Sequence, residues 1–202
     1  MWIAGFAVCG AQDSGNISLP EPNLDQPIMQ ILNKRQSNRE FGSEELSKQE
    51  ISDLLWAGFG INRSDTKKRT APTARNTQNI DLYIALPEGA YRYDAEQNSL
   101  VQISDKDIRK LTGQQEFVGD AAANVVMVAD YTKSNAKNKE DRRFYASANA
   151  AFISQNMYLY CAANDFATVV RAYIDKEKLA KALGLAETQE VIFAQSVGRP
   201  KK

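Results

Sequence analysis

The fold turns on one stretch: Tyr145-Ala146-Ser147-Ala148-Asn149-Ala150-Ala151-Phe152-Ile153-Ser154-Gln155-Asn156-Met157-Tyr158-Leu159-Tyr160-Cys161-Ala162-Ala163. It has no charged residue, no proline and no glycine, and it forms the middle of a helix predicted over 140–164. A helix on a protein surface keeps a polar face, whereas this one is apolar or small on nearly every side, so burial all round is expected. On its N-terminal side, Asn124–Ala129 is too apolar to have a wet face and reads as a central strand. Ile80–Leu86 reads as a strand, Gly89–Tyr93 with Leu100–Ile103 as a hairpin, and Glu190–Val197 as a closing strand. Ser47-Lys48-Gln49-Glu50 is a capping box ahead of Ile51, Leu54, Leu55 and Gly58 at helical spacing. Asp25 and Pro27 open a first helix through Ile28, Ile31 and Leu32; Ser104 starts a short helix that stops at Gly113; Asp175–Leu183 is one more, ended by Gly184. Helices, then strands, then a long helix and a last strand predict an α+β domain over 25–202 rather than alternating βαβ units.

Composition removes whole classes of chemistry. The 202 residues carry 25 basic and 25 acidic side chains, which argues against nucleic acid as a partner. There is no histidine, so Ser-His-Asp and Cys-His triads, His-ligated zinc and an imidazole base are all excluded. Cys9 and Cys161 are too few for an all-cysteine zinc site. Chemistry must come from carboxylates, Lys, Tyr, the backbone or a bound cofactor. The first eleven residues lack charge and are too short an apolar run to span a bilayer, so no transmembrane span is predicted there. They suit the apolar region of a secretory signal, with Cys9 and Ala11 as small residues before a cut, but the basic leader is missing. The alternative is an arm that packs on the domain or a partner. Location stays open between cytoplasm and export, with export favoured, and 1–24 is expected to be a signal-like or extended segment.

Two segments offer ligand chemistry. Arg35-Gln36-Ser37-Asn38-Arg39-Glu40-Phe41 lies between the first two helices. If extended, it points Arg35, Ser37 and Arg39 to one side, and guanidinium forks beside a hydroxyl are what a phosphate monoester needs. The bland alternative is a solvated junction whose arginines cap a helix. Pro72-Thr73-Ala74-Arg75-Asn76-Thr77-Gln78 precedes a strand; its small residues admit a flat ligand, and Asn76 and Gln78 carry amides suited to a heteroaromatic edge.

Together these segments resemble the nitroreductase family of FMN-dependent oxidoreductases. Arg35-x-Ser37-x-Arg39-x-Phe41 is similar to its N-terminal Arg-x-Ser-x-Arg-x-Phe run, Leu54-Leu55-Trp56-Ala57 to its following helix, and Pro72–Gln78 to its Pro-Ser-Ala-x-Asn-x-Gln segment. Gln155-Asn156-Met157 resembles its Gln-Asn-Leu helix, Thr168–Tyr173 falls at its apolar-Gly-x-Phe turn, and Val197-Gly198 resembles its final strand end. The likeness runs in order from about residue 28 to 200, and the short length is most like the compact branch with the thiazoline and oxazoline oxidases.

The resemblance implies a sandwich with a mainly antiparallel central sheet, and a homodimer through the long helix with two FMN sites between subunits. An all-round apolar helix, hard for one small chain to cover, agrees with that. By the same resemblance, Arg35 and Ser37 meet the phosphate and ribityl chain. Arg39 approaches the pyrimidine end, where a cation stabilises the charge that two-electron reduction builds. Thr73, Ala74 and Asn76 line the flavin, partly from the opposite subunit, and the backbone of Val169, Val170 and Arg171 lies near N5. Gly198 and Arg199 complete the phosphate site. NAD(P)H is the implied donor, and a nitro compound or quinone the implied kind of acceptor. Gln36 stands where a basic residue is usual, Arg171 where glycine is common, and Arg199, Lys201 or Lys202 where a longer basic tail is usual. These departures keep a second reading open, a flavin-binding carrier or sensor without turnover. Lys133–Arg143 offers a basic stretch for a nicotinamide phosphate, against the plainer reading of a solvated loop and first helical turn.

Overall fold

Alternation along the central strands sorts the apolar residues into two cores on either side of one sheet. The computed structural model describes residues 15–21 and 27–202. The strands are β1 (Ile17–Ser18), β2 (Ile61–Arg63), β3 (Lys68–Arg69), β4 (Ile80–Leu86), β5 (Gly89–Asp94), β6 (Ser99–Ser104), β7 (Ala123–Asp130), β8 (Ala167–Arg171) and β9 (Gln189–Gly198). Seven of them form an antiparallel sheet in the order β1–β6–β5–β4–β7–β9–β8, while β2 and β3 make a separate hairpin. The helices are α1 (Ile28–Lys34), α2 (Lys48–Phe59), α3 (Lys139–Ala163) and α4 (Lys176–Ala182). Leu82, Ile84 and Leu86 of β4 and Val125, Met127 and Ala129 of β7 face α2 and α3. Tyr83, Ala85, Val126 and Val128 face the opposite way, toward Leu179 of α4 and Ile108. A strand covered on both faces has no use for a polar side, which is why β7 reads as an unbroken apolar run.

Local signals set the helix ends. The Ser47 hydroxyl accepts the Glu50 N–H (3.3 Å) and the Glu50 carboxylate accepts the Ser47 N–H (2.8 Å), closing the capping box of α2. Asn138 caps α3 by accepting the Asp141 N–H at 2.7 Å, and Asp175 caps α4. α2 crosses α3 at Gly58, where a Cβ would come within 3.0 Å of Met157 Cγ, so the absence of a side chain sets how closely the two helices approach.

Three expectations need correction. First, α3 is not buried all round by its own chain. Ala146, Ala150, Ile153, Met157 and Cys161 pack into the core, but Phe144 is 67% exposed and Phe152 49%, with Ala151 and Gln155 also open. The sheet, α1 and α2 cover part of this helix, and its own fold has nothing to place over the rest. Second, Ser104–Gly113 holds no α-helix, only a 3-10 turn at Arg109–Thr112. The Ser104 hydroxyl accepts the Lys106 N–H and the Asp107 carboxylate the Arg109 N–H, local bonds that compete with a helical ladder. Third, Thr168–Arg171 is not a turn but most of edge strand β8, and Arg171 is not among the residues with positive φ, so no backbone strain attaches to it.

Residues 15–21 of the N-terminal segment lie against the sheet. β1 pairs with β6, Leu19 N–H donates to Asn98 O at 2.9 Å, and the Asn98 amide donates to the Leu19 and Pro20 carbonyls. The signal-like stretch, residues 1–11, lies outside the described residues. Among the described residues no helix is long and apolar enough to cross a membrane.

Candidate functional site

The Arg35–Phe41 segment is held between two pieces of sheet edge. α1 ends as Arg35 N–H donates back to Ile31 O, and the chain then runs along the free side of β8, where Asn38 N–H donates to Thr168 O at 2.9 Å. On its other flank the residues after β9 close over it: Gly42 N–H donates to Arg199 O (2.8 Å) and Lys201 N–H to Glu40 O (3.0 Å). A short bridge pairs Phe41 with Pro200.

Three of the predicted residues converge on one side chain that the sequence reading missed. Tyr158, in α3 and 7% exposed, has its hydroxyl 2.8 Å from Ser37 Oγ, and that hydroxyl accepts the Val170 N–H at 3.0 Å. The Arg35 guanidinium lies over the same ring, 5.6 Å from its centre. Val170 sits on the edge strand of the sheet, so an amide with no strand partner on that side is taken by the phenol. The one sequence signal for Tyr158 was a polar tip on a ring inside an apolar helix, which needs a partner when buried. Arg39 is exposed and, like Arg35, forms no ion pair among the described residues. Gln36 is exposed on the rim of a cleft of about 460 Å³ shared with Lys34, Asn38, Ala162 and Phe166.

The second segment lies elsewhere on the same helix. Ala74 N–H donates to Asn149 Oδ1 (3.0 Å), and the Asn149 amide donates onward to Asn79 Oδ1 (2.7 Å). Asn149 precedes Tyr158 by nine positions in α3, about 14 Å along the helix. Within one chain, therefore, Thr73, Ala74 and Asn76 do not join the cluster at Tyr158. Arg75, Asn76 and Gln78 all have positive φ (55°, 54° and 45°), so the loop is tightly coiled. Thr73 Oγ1 accepts the Gln78 N–H, and the Gln78 amide is spent internally on Arg69, the Lys67 carbonyl and Asn76. It is not free for a ligand.

The remaining predicted residues divide. The Val169 side chain is buried with Phe41, Ala121 and Ala167. Gly198 ends β9 opposite Ala167, and a Cβ there would meet Ala122 N at 3.1 Å. Arg199 is committed to Glu50, its Nη2 2.6 Å from Oε1, and stacks on Phe166 at 4.8 Å; its buried Nε has no hydrogen-bond acceptor. Arg171 points into the interior on the far face of β8, away from this cluster. Lys133 is paired with Asp81 (2.7 Å) and Arg143 with Glu190 (3.1 Å), which fits the plainer reading of 133–143. Cys161 offers no nucleophile, because complete burial pushes its thiol up to about 12.

Comparison with known proteins fits this architecture. The model of the nitroreductase family matches residues 32–199. A nitroreductase-like protein of Methanocaldococcus jannaschii is 28% identical over 177 residues, 82% of this chain and 88% of its own. The crystal structure of a nitroreductase-like protein of Ralstonia eutropha superposes with a TM-score of 0.88 at 37% identity, covering 95% of this chain and 93% of that one. A nitroreductase-like protein of Desulfovibrio desulfuricans, solved in complex with FMN, shares the fold at a TM-score of 0.64 and 20% identity, with 89% of each chain covered. The chain belongs to the nitroreductase family, and its chemistry is that of an oxidoreductase.

Proposed function

We propose that this chain is an FMN-dependent oxidoreductase that works as a homodimer, passing electrons from NAD(P)H to a small organic acceptor such as a nitro compound or quinone. The observation that carries the reading is the meeting of Arg35, Ser37 and Val170 on Tyr158. The donor set fits FMN: Arg35 and Arg39 are cations without carboxylate partners among the described residues; a phosphate dianion would supply what Arg35 lacks, and Arg39 is left for the pyrimidine end of the ring. Ser37 stands next to them for a ribityl hydroxyl, and a flat ring would lie beside β8 at Val169, Val170 and Arg171, where the Val170 N–H is already donated to Tyr158. Gly198 keeps the strand end close to Phe41, while Arg199 braces the segment through Glu50, its buried Nε turned away from any ligand and 3.9 Å from the Glu44 carboxylate. Gln36 adds no charge.

When bound, FMN supplies the two-electron chemistry between nicotinamide and acceptor. The protein's part is to bind, orient and screen. The separation of Thr73–Asn76 from Tyr158 favours a dimer, since pairing two copies across the open face of α3 lets the loop of one approach the arginines of the other.

Protein saturated with FMN and mixed anaerobically with NADH or NADPH tests this directly. The expected result is bleaching of the flavin absorbance, restored by a nitroaromatic or quinone. Bound flavin that neither nucleotide bleaches would overturn turnover and favour a carrier or sensor.

A further inference from the structure

Arg171 is 5% exposed, and all its hydrogen-bond partners are neutral. Its Nη1 donates to the Thr112 carbonyl (2.5 Å), Nη2 to Asn124 Oδ1 (2.6 Å), Ser196 Oγ (2.9 Å) and Thr112 Oγ1 (3.2 Å), and Nε to Ser196 Oγ (3.2 Å). Among the described residues no carboxylate comes within ion-pair distance of it. A Cβ on Gly113 would fall 2.1 Å from Nη1, so the fork fits only because residue 113 has no side chain. The pocket is built to hold a guanidinium without neutralising it. Such burial is unfavourable, and a neutral side chain is the usual solution. Burial pulls Arg171 down to about 10, which still leaves it charged at neutral pH.

The charge also has a definite place. Arg171 follows Val170 in β8, and strand alternation sends the two side chains to opposite faces. The guanidinium therefore stands behind the strand whose edge meets Tyr158, Ser37 and Arg35. We propose that Arg171 is a fixed, unneutralised positive charge that raises the reduction potential of flavin bound at this cluster. The inference rests on the flavin reading above. Hydride transfer oxidises the nicotinamide and brings two electrons and one proton to the ring, which adds one net negative charge. A cation held in a low-dielectric interior favours that charged product over the neutral ring, and mobile ions screen it little. Exposed Arg39 acts on the same charge, but salt weakens its effect.

A structural pin and a charge make different predictions. Midpoint potentials of FMN-loaded wild type, Arg171→Lys and Arg171→Met, read against a reference dye at low and high salt, separate them. Arg171→Lys keeps the charge but loses the fork, so its potential stays near wild type even if it is less stable. In Arg171→Met the preference for reduced over oxidised flavin falls about tenfold, a drop of about 30 mV for a two-electron couple, undiminished by salt. Should Arg171→Met not fold, Arg171→Gln keeps a neutral donor for Asn124 and Ser196 and carries the same comparison. Equal potentials in wild type and the neutral variant, or an equal drop in Arg171→Lys, overturn the inference. Failure of the wild type to take up FMN overturns the flavin reading instead.

Discussion

Phe152→Glu is expected to give a folded monomer that no longer retains FMN. Phe152 lies 49% exposed on the outer face of α3, in line with Ala151 and Gln155 and with Phe144 nearer the helix start. Ile28, Met29 and Leu32 of α1, which packs beside α3, are exposed as well, adding to the apolar surface that the chain leaves open. If two copies pair here about a twofold axis, a glutamate enters the interface twice. An unpaired buried charge costs about 3 kcal/mol, and two of them weaken association by roughly four orders of magnitude. FMN retention falls with it, because Thr73–Asn76 sits about 14 Å along α3 from Tyr158 and cannot complete the same pocket from within one chain. Light scattering on a sizing column, with flavin absorbance per chain and circular dichroism as a check on folding, reads all three quantities. A variant that stays dimeric, or a monomer that keeps its flavin, would contradict the shared-site reading.

Arg35→Ala is expected to weaken FMN binding roughly ten- to hundredfold, the worth of a charge-assisted hydrogen bond of about 1.5–3 kcal/mol. The fold should survive, since Arg35 forms no ion pair among the described residues and its side chain only stacks on Tyr158. Binding of riboflavin, which has no phosphate, should change little. Calorimetric titration with both ligands makes the comparison, and equal losses for the two would mean that Arg35 supports the pocket without gripping an anion.

The strands were legible from their composition, β-rich at Ile80–Leu86 and an unbroken apolar run at Asn124–Ala129, and β4 and β7 appear close to those positions. The Ser47 box and the Asp175 cap are local chemistry and needed no tertiary information. What stayed hidden depends on distant packing. Tyr158 becomes a hub only once α3 lies across the β8 edge, and neither partner signals the other in sequence. The pocket of Arg171 is assembled from Thr112 of a 3-10 turn, Asn124 of β7 and Ser196 of β9, segments far apart in sequence. Glu50 serves two ends at once, capping α2 through one oxygen and holding Arg199 through the other, so a side chain read as a free phosphate ligand is already engaged. The sequence showed that α3 is too apolar for one small chain to cover, but not which of its residues stay open, since periodicity tells how apolar a helix is and not which side its own fold covers.

The central claim is an anion-gripping flavin pocket at Tyr158, and titration of the ligand-free protein with FMN and with riboflavin tests it most directly. The account predicts one FMN per chain, bound at least about tenfold more tightly than riboflavin because a phosphate reaches Arg35. No uptake of FMN, or equal affinity for the two flavins, would contradict it.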